Sequence, residues 1–150
     1  MRLSKKTEYG LRALIYAARF PEGTTFQIKD LAERNGIPKK FLELILLELK
    51  NAGILKSRRG VGGGYLLARR PETVRSTDII QAIEGPLTHA RAGKGTGQPG
   101  DEPDSHPVAL LAAEASEAVV AVFDRWTLAD LAREEQDAAD RKRRHVMYFI

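Results

Sequence analysis

The chain has no cysteine, and it has one tryptophan and two methionines among its 150 residues. Without cysteine there is no disulfide framework, no zinc or iron–sulfur site with thiolate ligands, and no cysteine nucleophile. No stretch approaches the roughly 20 apolar residues of a membrane-spanning helix. No apolar run follows the basic start either, so a signal peptide is not expected. We therefore expect a soluble, cytoplasmic protein that does not contact membranes and needs no cofactor; a cysteine-ligated iron–sulfur cluster is excluded.

Charge is unevenly placed along the chain. Residues 1–85 carry 16 lysines and arginines against 9 acidic residues, whereas residues 86–150 carry 8 against 11. A basic front half is typical of a protein that binds a polyanion, although an ordinary solvated surface explains such a balance equally well. The length fits about one domain.

The spacing of apolar residues predicts the order of elements in the front half. A tight connection at residues 36–38 joins the second and third helices. Two short β-compatible segments flank the glycine-rich residues 60–64 and predict a hairpin. The order of three helices and a hairpin predicts a mainly α, winged helix-turn-helix fold. The predicted helices cover residues 7–19, 27–35, 38–51 and 78–84.

The third helix is the predicted base-contacting element. In a winged helix-turn-helix, the N-terminal residues of this helix face base edges in the major groove. Here those residues are Lys39, Lys40 and Glu43. Lysine can donate to guanine O6 and N7 or to phosphate, and a carboxylate can accept from cytosine N4. The apolar residues on the other face of the helix anchor it to the first two helices.

The hairpin is the predicted wing. Arginine suits a narrow minor groove, and glycine lets backbone N–H groups approach phosphates closely. A plain surface hairpin with solvated charges is the alternative. The segment matches neither the P-loop nor the dinucleotide-binding glycine pattern, so a phosphate-binding enzyme loop is not favoured. With two lysines near the start of the chain, the predicted DNA contacts outside the third helix are Lys5, Lys6, Arg58, Arg59, Gly60, Gly62 and Gly63.

The back part of the chain begins with a segment rich in glycine and proline. Residues 88–107 contain four glycines and three prolines and predict a flexible effector or sensor loop. An apolar seam follows on a helix of about 19 residues, roughly 28 Å long. A seam that extends beyond a compact module favours dimerisation over packing on its own domain. The predicted dimerisation residues are Val108, Leu111, Ala115, Val119, Val122 and Trp126.

These elements divide the chain into four parts. Thr127 and Asp130 predict a cap for one further helical turn after the seam. The basic residues 141–144 add phosphate contacts in one interpretation and belong to a solvated tail in the other. The predicted divisions are a DNA-binding domain at 1–87, the loop at 88–107, a dimerisation helix at 108–135 and a C-terminal tail at 136–150.

No metal site is predicted. Carboxylate and imidazole suit zinc or iron in principle. The residues that could supply ligands sit mostly in a polar loop, where such residues occur by default. They are Glu8, His89 and His106, together with Glu102 and Asp104.

The wing segment resembles a known family. The run GILKSRRG at residues 53–60, continuing as GGGYLL at residues 62–67, is similar to the wing signature of the BadM/IscR-type (Rrf-two) bacterial transcription regulators. The similarity covers about residues 1–87. It also includes the opening MRLSKKTEY and the segments at residues 41–43, 78–80 and 83–85.

This resemblance implies a homodimeric DNA-binding regulator, which we expect to be a repressor, acting on an imperfect palindrome in double-stranded DNA. Members of the family commonly sense a signal through a cluster held by loop cysteines. This chain has none, which implies a small molecule or a protein as its effector. The alternative is a winged-helix adaptor that no longer binds DNA, although Lys39, Lys40 and the basic wing count against it. An enzyme is not predicted, because no nucleophile and base are grouped.

Overall fold

The computed structural model describes residues 2–87 and 107–149. These residues contain six α-helices and one two-stranded antiparallel sheet. This architecture confirms the predicted mainly α, winged helix-turn-helix fold. None of the described helices is both long and apolar enough to cross a membrane. In chain order the elements are α1 (Lys5–Ala18), α2 (Ile28–Asn35), α3 (Lys39–Asn51), β1 (Leu55–Arg58), β2 (Gly64–Leu67), α4 (Ser76–Glu84), α5 (Pro107–Asp124) and α6 (Leu128–Tyr148).

The core lies where α1, α2, α3 and α4 meet, and β1 packs on α3 at its side. The predicted bounds of the first four helices are correct to within two residues. These helices were predictable because their inward positions recur at the helical period. Leu128, at the start of α6, is buried in the same core, so the back part of the chain is joined to the front. The largest fully buried side chains include Leu14, Leu42, Ile45, Leu46, Leu49, Ile54, Ile79, Ile80 and Leu128.

The back part of the chain differs from the prediction. The helix of about 19 residues that carries the predicted seam is α5, and the predicted division at 108–135 also contains the junction at residues 125–127 and the start of α6. Residues predicted as a tail continue α6 to Tyr148. Thr127 caps α6 as predicted: its hydroxyl accepts from the Asp130 backbone N–H at 3.1 Å, and Asp130 accepts from the Thr127 N–H at 3.0 Å. The helix that it starts is 21 residues long, not one turn. Residues 88–106 of the predicted loop lie outside the described residues, and Pro107 begins α5.

A short backbone pairing ties the α5–α6 junction to the start of α4. Arg75 and Thr127 form an isolated antiparallel bridge. On either side of it, the Ser76 N–H donates to the Trp126 carbonyl and the Leu128 N–H donates to the Val74 carbonyl, both at 2.8 Å. This pairing, called the α4–α6 bridge below, attaches the end of α5 to the DNA-binding domain.

Candidate nucleic-acid interface

The turn between α2 and α3 fixes the angle at which α3 leaves the domain. Gly36 ends α2 in the left-handed conformation, with φ of 63°, which glycine adopts without a steric penalty. Ile37 is buried and anchors the turn in the core. Pro38 stands immediately before α3, with φ of −58°. The turn therefore positions the N-terminus of α3 at the surface, as a helix-turn-helix requires.

One face of α3 is buried in the core, and the other is exposed and carries charged residues at its N-terminal end. Leu42, Ile45, Leu46 and Leu49 are buried and pack against the other helices. Lys39, Lys40 and Glu43 are exposed at the N-terminal end. Among the residues that the structure describes, none of these three is in a salt bridge. Their charges are therefore available to an outside partner, as expected for groups that contact base edges and phosphates.

The two lysines at the start of α1 are placed differently. Lys5 is exposed and pairs with Glu8 at 3.0 Å, one turn along the same helix. Lys6 is partly buried, and its ammonium group contacts Glu48 of α3 at 2.5 Å. The second carboxylate oxygen of Glu48 is buried without a partner among the described residues. Lys6 therefore joins α1 to α3, and its predicted contact with DNA stays a prediction that competes with this ion pair.

The wing is a four-residue antiparallel pair in which Arg58 lies opposite Gly64. Arg58 and Arg59 are exposed, and the turn is closed by the Gly63 N–H, which donates to the Gly60 carbonyl at 3.0 Å. A Cβ atom added at Gly63 would lie 2.4 Å from the Arg58 carbonyl oxygen. Glycine is required at this position because the backbone of the turn leaves no room for a Cβ atom. This reason adds to the one predicted from the sequence, which is close approach to phosphate.

Three residues before α2 hold the wing from the side, and none of them was predicted to do so. Phe26 and Tyr65 exchange two backbone hydrogen bonds, of 2.7 and 2.9 Å. The Thr25 hydroxyl donates to the Gly62 carbonyl at 2.8 Å, and the Gln27 side-chain amide donates to the Gly63 carbonyl. These contacts join residues nearly 40 positions apart, so no local pattern could reveal them. They hold the glycine turn in place before any partner binds.

The predicted dimerisation seam is largely exposed. Within the described part of the chain, α5 has no buried residue although most of its side chains are apolar. Val119 is partly covered and lines a shallow pocket with Leu3 and Leu87 of the same chain, and Ala115 also borders this pocket. The members of the seam that remain strongly exposed are Val108, Leu111, Val122 and Trp126.

The metal candidates do not gather into a site in the described residues. Glu8 contacts Lys5 at 3.0 Å and Arg12 at 2.5 Å. The hydrogen bond from Lys5 and the neighbouring positive charges hold the pKa of Glu8 below its ordinary value. His89 and His106, like Glu102 and Asp104, lie outside the described residues. Within residues 2–87 and 107–149, no three histidine, aspartate or glutamate side chains are grouped as metal ligands.

An exposed basic end on α3, a braced wing with two arginines and a helix-turn-helix core together define a winged-helix DNA-binding protein. The chain belongs to the Rrf2 family, whose model, described as an iron-dependent transcriptional regulator, matches residues 3–134. This membership confirms the resemblance seen in the wing segment. The chain is thus a DNA-binding transcription regulator and not an enzyme.

Relatives of known name support the same conclusion over the whole chain. The sequence is 32% identical to the helix-turn-helix transcriptional regulator CymR of Bacillus subtilis, and the match covers all of both chains. It is 30% identical to the regulator IscR of Citrobacter koseri, over 97% of this chain and 89% of that one. The solved structure of B. subtilis CymR, described as a global cysteine regulator, superposes with a TM-score of 0.72 over 89% of this chain and 98% of that one. IscR of T. potens gives 0.73 at 28% identity, over 92% and 90%.

The family description names iron, but the donors of this chain do not fit a cluster held by thiolates. Such a cluster needs cysteine ligands, and the sequence has none. Glu8, the candidate oxygen ligand within the described residues, is already engaged by two cations.

Proposed function

We propose that the protein is a homodimeric repressor that binds a palindromic operator with α3 in the major groove and the wing alongside. The exposed apolar surface of α5 is the observation that carries this proposal. Leu111 is 68% exposed and Val122 is also exposed. Removing either apolar side chain from water would lower the free energy of the protein. A monomer would leave this surface in solvent along most of the helix.

A second copy of the chain is the occupant that the helix favours. Residues Leu111, Ala115 and Val122 recur at the spacing of a helix–helix seam. Such a seam can face its own copy across a twofold axis, because the same residues then meet from both sides. The α4–α6 bridge joins the C-terminal end of α5 to the start of α4, so pairing of two α5 helices brings two DNA-binding domains into one particle.

The twofold axis determines the type of operator. Two α3 helices related by it would enter successive major grooves, about 34–36 Å apart, and would contact inverted half-sites. Such a dimer can repress transcription without contacting RNA polymerase, because a protein bound across promoter DNA excludes the polymerase. We place this activity in the cytoplasm, with the chromosome.

We further propose that DNA binding needs no metal or cluster, and that a small molecule or a protein releases the regulator from its site. The absence of cysteine supports the first part. The placement of Lys39, Lys40 and Glu43 supports it as well, because the helix that carries these exposed residues is anchored by buried residues of the domain's own core.

Sedimentation and DNA binding test the proposal together. The native chain is expected to sediment as a dimer at micromolar concentration, and Leu111→Glu is expected to shift it to monomer. Leu110→Glu is the matched control, since Leu110 is 58% exposed but points about 100° around the helix from Leu111. Fluorescence anisotropy with DNA from upstream of the protein's own gene, against a scrambled duplex and over a salt series, should show selective binding that falls steeply with salt.

Different results separate the parts of the proposal. A native monomer that still binds selectively would overturn the dimer. A dimer that binds no DNA selectively, even when sites are selected from a random library, would overturn the regulator and favour a protein–protein adaptor. Binding that requires added iron would overturn the cofactor-free part.

A further inference from the structure

The outward face of α3 continues beyond its charged end as an apolar surface. Leu44 is 57% exposed and Leu47 is 47% exposed, although both belong to the helix predicted to contact bases. Lys40, Leu44 and Leu47 follow one another at helical steps of four and three residues, so they share one face. This face lies opposite the buried residues Leu42 and Ile45. Neither exposed leucine is therefore needed for the core.

We propose that Leu44 contacts the C5-methyl group of a thymine in the operator and thereby specifies an A·T base pair. The inference rests on the proposed function and adds a second kind of recognition to it. Lys39, Lys40 and Glu43 can distinguish bases through hydrogen bonds, whereas a leucine side chain cannot donate or accept one. Thymine is the standard base that presents a methyl group in the major groove, and apolar side chains recognise it there.

The position of Leu44 along the helix fits this role. The α-helix rises 1.5 Å per residue, so Leu44 lies about 6 Å beyond Lys40 along the axis, close to the height of two base pairs. Lys40 at the N-terminal end and Leu44 one turn later can therefore contact neighbouring base steps. Leu47 follows about 4.5 Å further along the helix axis.

The charged surroundings favour DNA over a protein as the occupant of this face. Lys39 and Lys40 precede the leucines on α3, and Lys50 follows them. The wing of the same domain adds Arg58 and Arg59, both exposed. DNA presents the methyl groups of thymine in a groove that is bordered by phosphates. This arrangement is complementary to exposed leucines that are surrounded by lysines and arginines. The face is also continuous with the proposed DNA-contacting residues on the same helix.

The test removes one methyl group at a time from the operator. The native chain first selects its preferred sites from a random duplex library. Each thymine of the selected site is then replaced by deoxyuridine, which lacks the C5-methyl group and keeps the other groove atoms. Affinities of native chain, Leu44→Ala and Val146→Ala are measured for each duplex. Val146 on α6 is 56% exposed and provides a matched apolar truncation on a different helix.

The expected result is a coupling between one side chain and one methyl group. At one thymine in each half-site, the uracil duplex should bind the native chain and Val146→Ala about fourfold more weakly, and Leu44→Ala with little change. Because each ratio compares two duplexes with one protein preparation, a change in the folded fraction cancels. If no thymine is sensitive, or if Leu44→Ala keeps the full penalty, this inference is overturned while the regulator stands. If the native chain selects no sequence, the proposed function fails and the inference fails with it.

Discussion

Glu84 at the end of α4 accepts a hydrogen bond of 2.7 Å from the hydroxyl of Thr7 in α1, and Thr7 is completely buried. The same carboxylate oxygen accepts from the Ser4 backbone N–H at 3.0 Å. Two segments that identified the family in the sequence, one at the start of the chain and one at the end of α4, are thus partners in space. Their contact fixes the first turn of α1 against the last turn of α4.

Thr7→Val should lower the stability of the domain while preserving its shape. Valine fills the same volume but cannot donate to Glu84, so we expect a loss of about 1 kcal/mol in the free energy of unfolding. Thermal unfolding should show a decrease in Tm of a few degrees. Thr73→Val, which removes an exposed hydroxyl, is the control. Equal effects of the two substitutions would contradict a special role for the buried contact.

The same contact predicts a pH dependence. The Thr7 hydroxyl and the Ser4 backbone N–H hold the pKa of Glu84 below its ordinary value. A carboxylate with a lowered pKa stabilises the folded chain above the unfolded pKa, about 4.3 for glutamate, and this contribution disappears as the pH falls through the folded value. The native chain should therefore be more stable than Glu84→Gln at pH 7, and the difference should shrink below about pH 4. A difference that stayed constant down to pH 3 would rule out this linkage.

Lys6 and Lys40 should differ in what their removal changes. Lys40→Ala is expected to weaken DNA binding and to reduce the slope of log affinity against log salt by about one. Lys6→Ala is expected to lower Tm instead, because Glu48 would lose its cation while one of its oxygens already lacks a partner among the described residues. Salt titration and thermal unfolding of both variants separate these effects. An unchanged Tm and a reduced slope for Lys6→Ala would make Lys6 a phosphate contact.

Glu43→Ala should relax base preference more than it weakens binding. The Glu43 carboxylate is exposed near the start of α3, where it can accept from a cytosine amino group. Site selection from a random library should lose discrimination at one base pair per half-site, at a cost of roughly 1–3 kcal/mol for that pair in the native chain. Glu33→Ala, on α2, is the control for loss of one surface charge. An unchanged consensus sequence for Glu43→Ala would contradict the assignment.

Gly63→Ala should deform the wing. The added Cβ would lie 2.4 Å from a backbone oxygen, so the turn must open. We expect weaker DNA binding with a smaller change in global stability, because the wing lies at the edge of the core. Val61→Ala in the same turn is the control, since the Val61 side chain is fully solvent-exposed. Equal affinities of the two variants would show that the turn geometry does not matter for binding.

Local patterns were sufficient to predict the helix-turn-helix, because its inward residues repeat at the helical period and Gly36 marks the end of α2. They were insufficient for contacts between distant positions, such as Lys6 with Glu48 and Thr25 with Gly62. The second half of α6 was missed for another reason. Nearly all of its residues are exposed, so it has no buried apolar stripe, and its alanine, arginine and lysine content was the available signal. Leu44 was not recognised as a candidate because only charged residues at the start of α3 were considered as base contacts.

The α4–α6 bridge attaches one end of α5 to the DNA-binding domain, so a small change of angle there produces a larger displacement at the other end of the helix. One end of α5 is held by backbone hydrogen bonds at Ser76 and Leu128, and the other end is Pro107. A tilt of about 5° at the bridge moves the far end of a roughly 27 Å helix by about 2 Å. In a dimer that pairs through α5, such a tilt would change the distance between the two α3 helices, and a larger tilt would change it more. In such a dimer, the fit of both α3 helices to successive major grooves would depend on this junction, and a ligand that loosened it would weaken the contacts with both half-sites together.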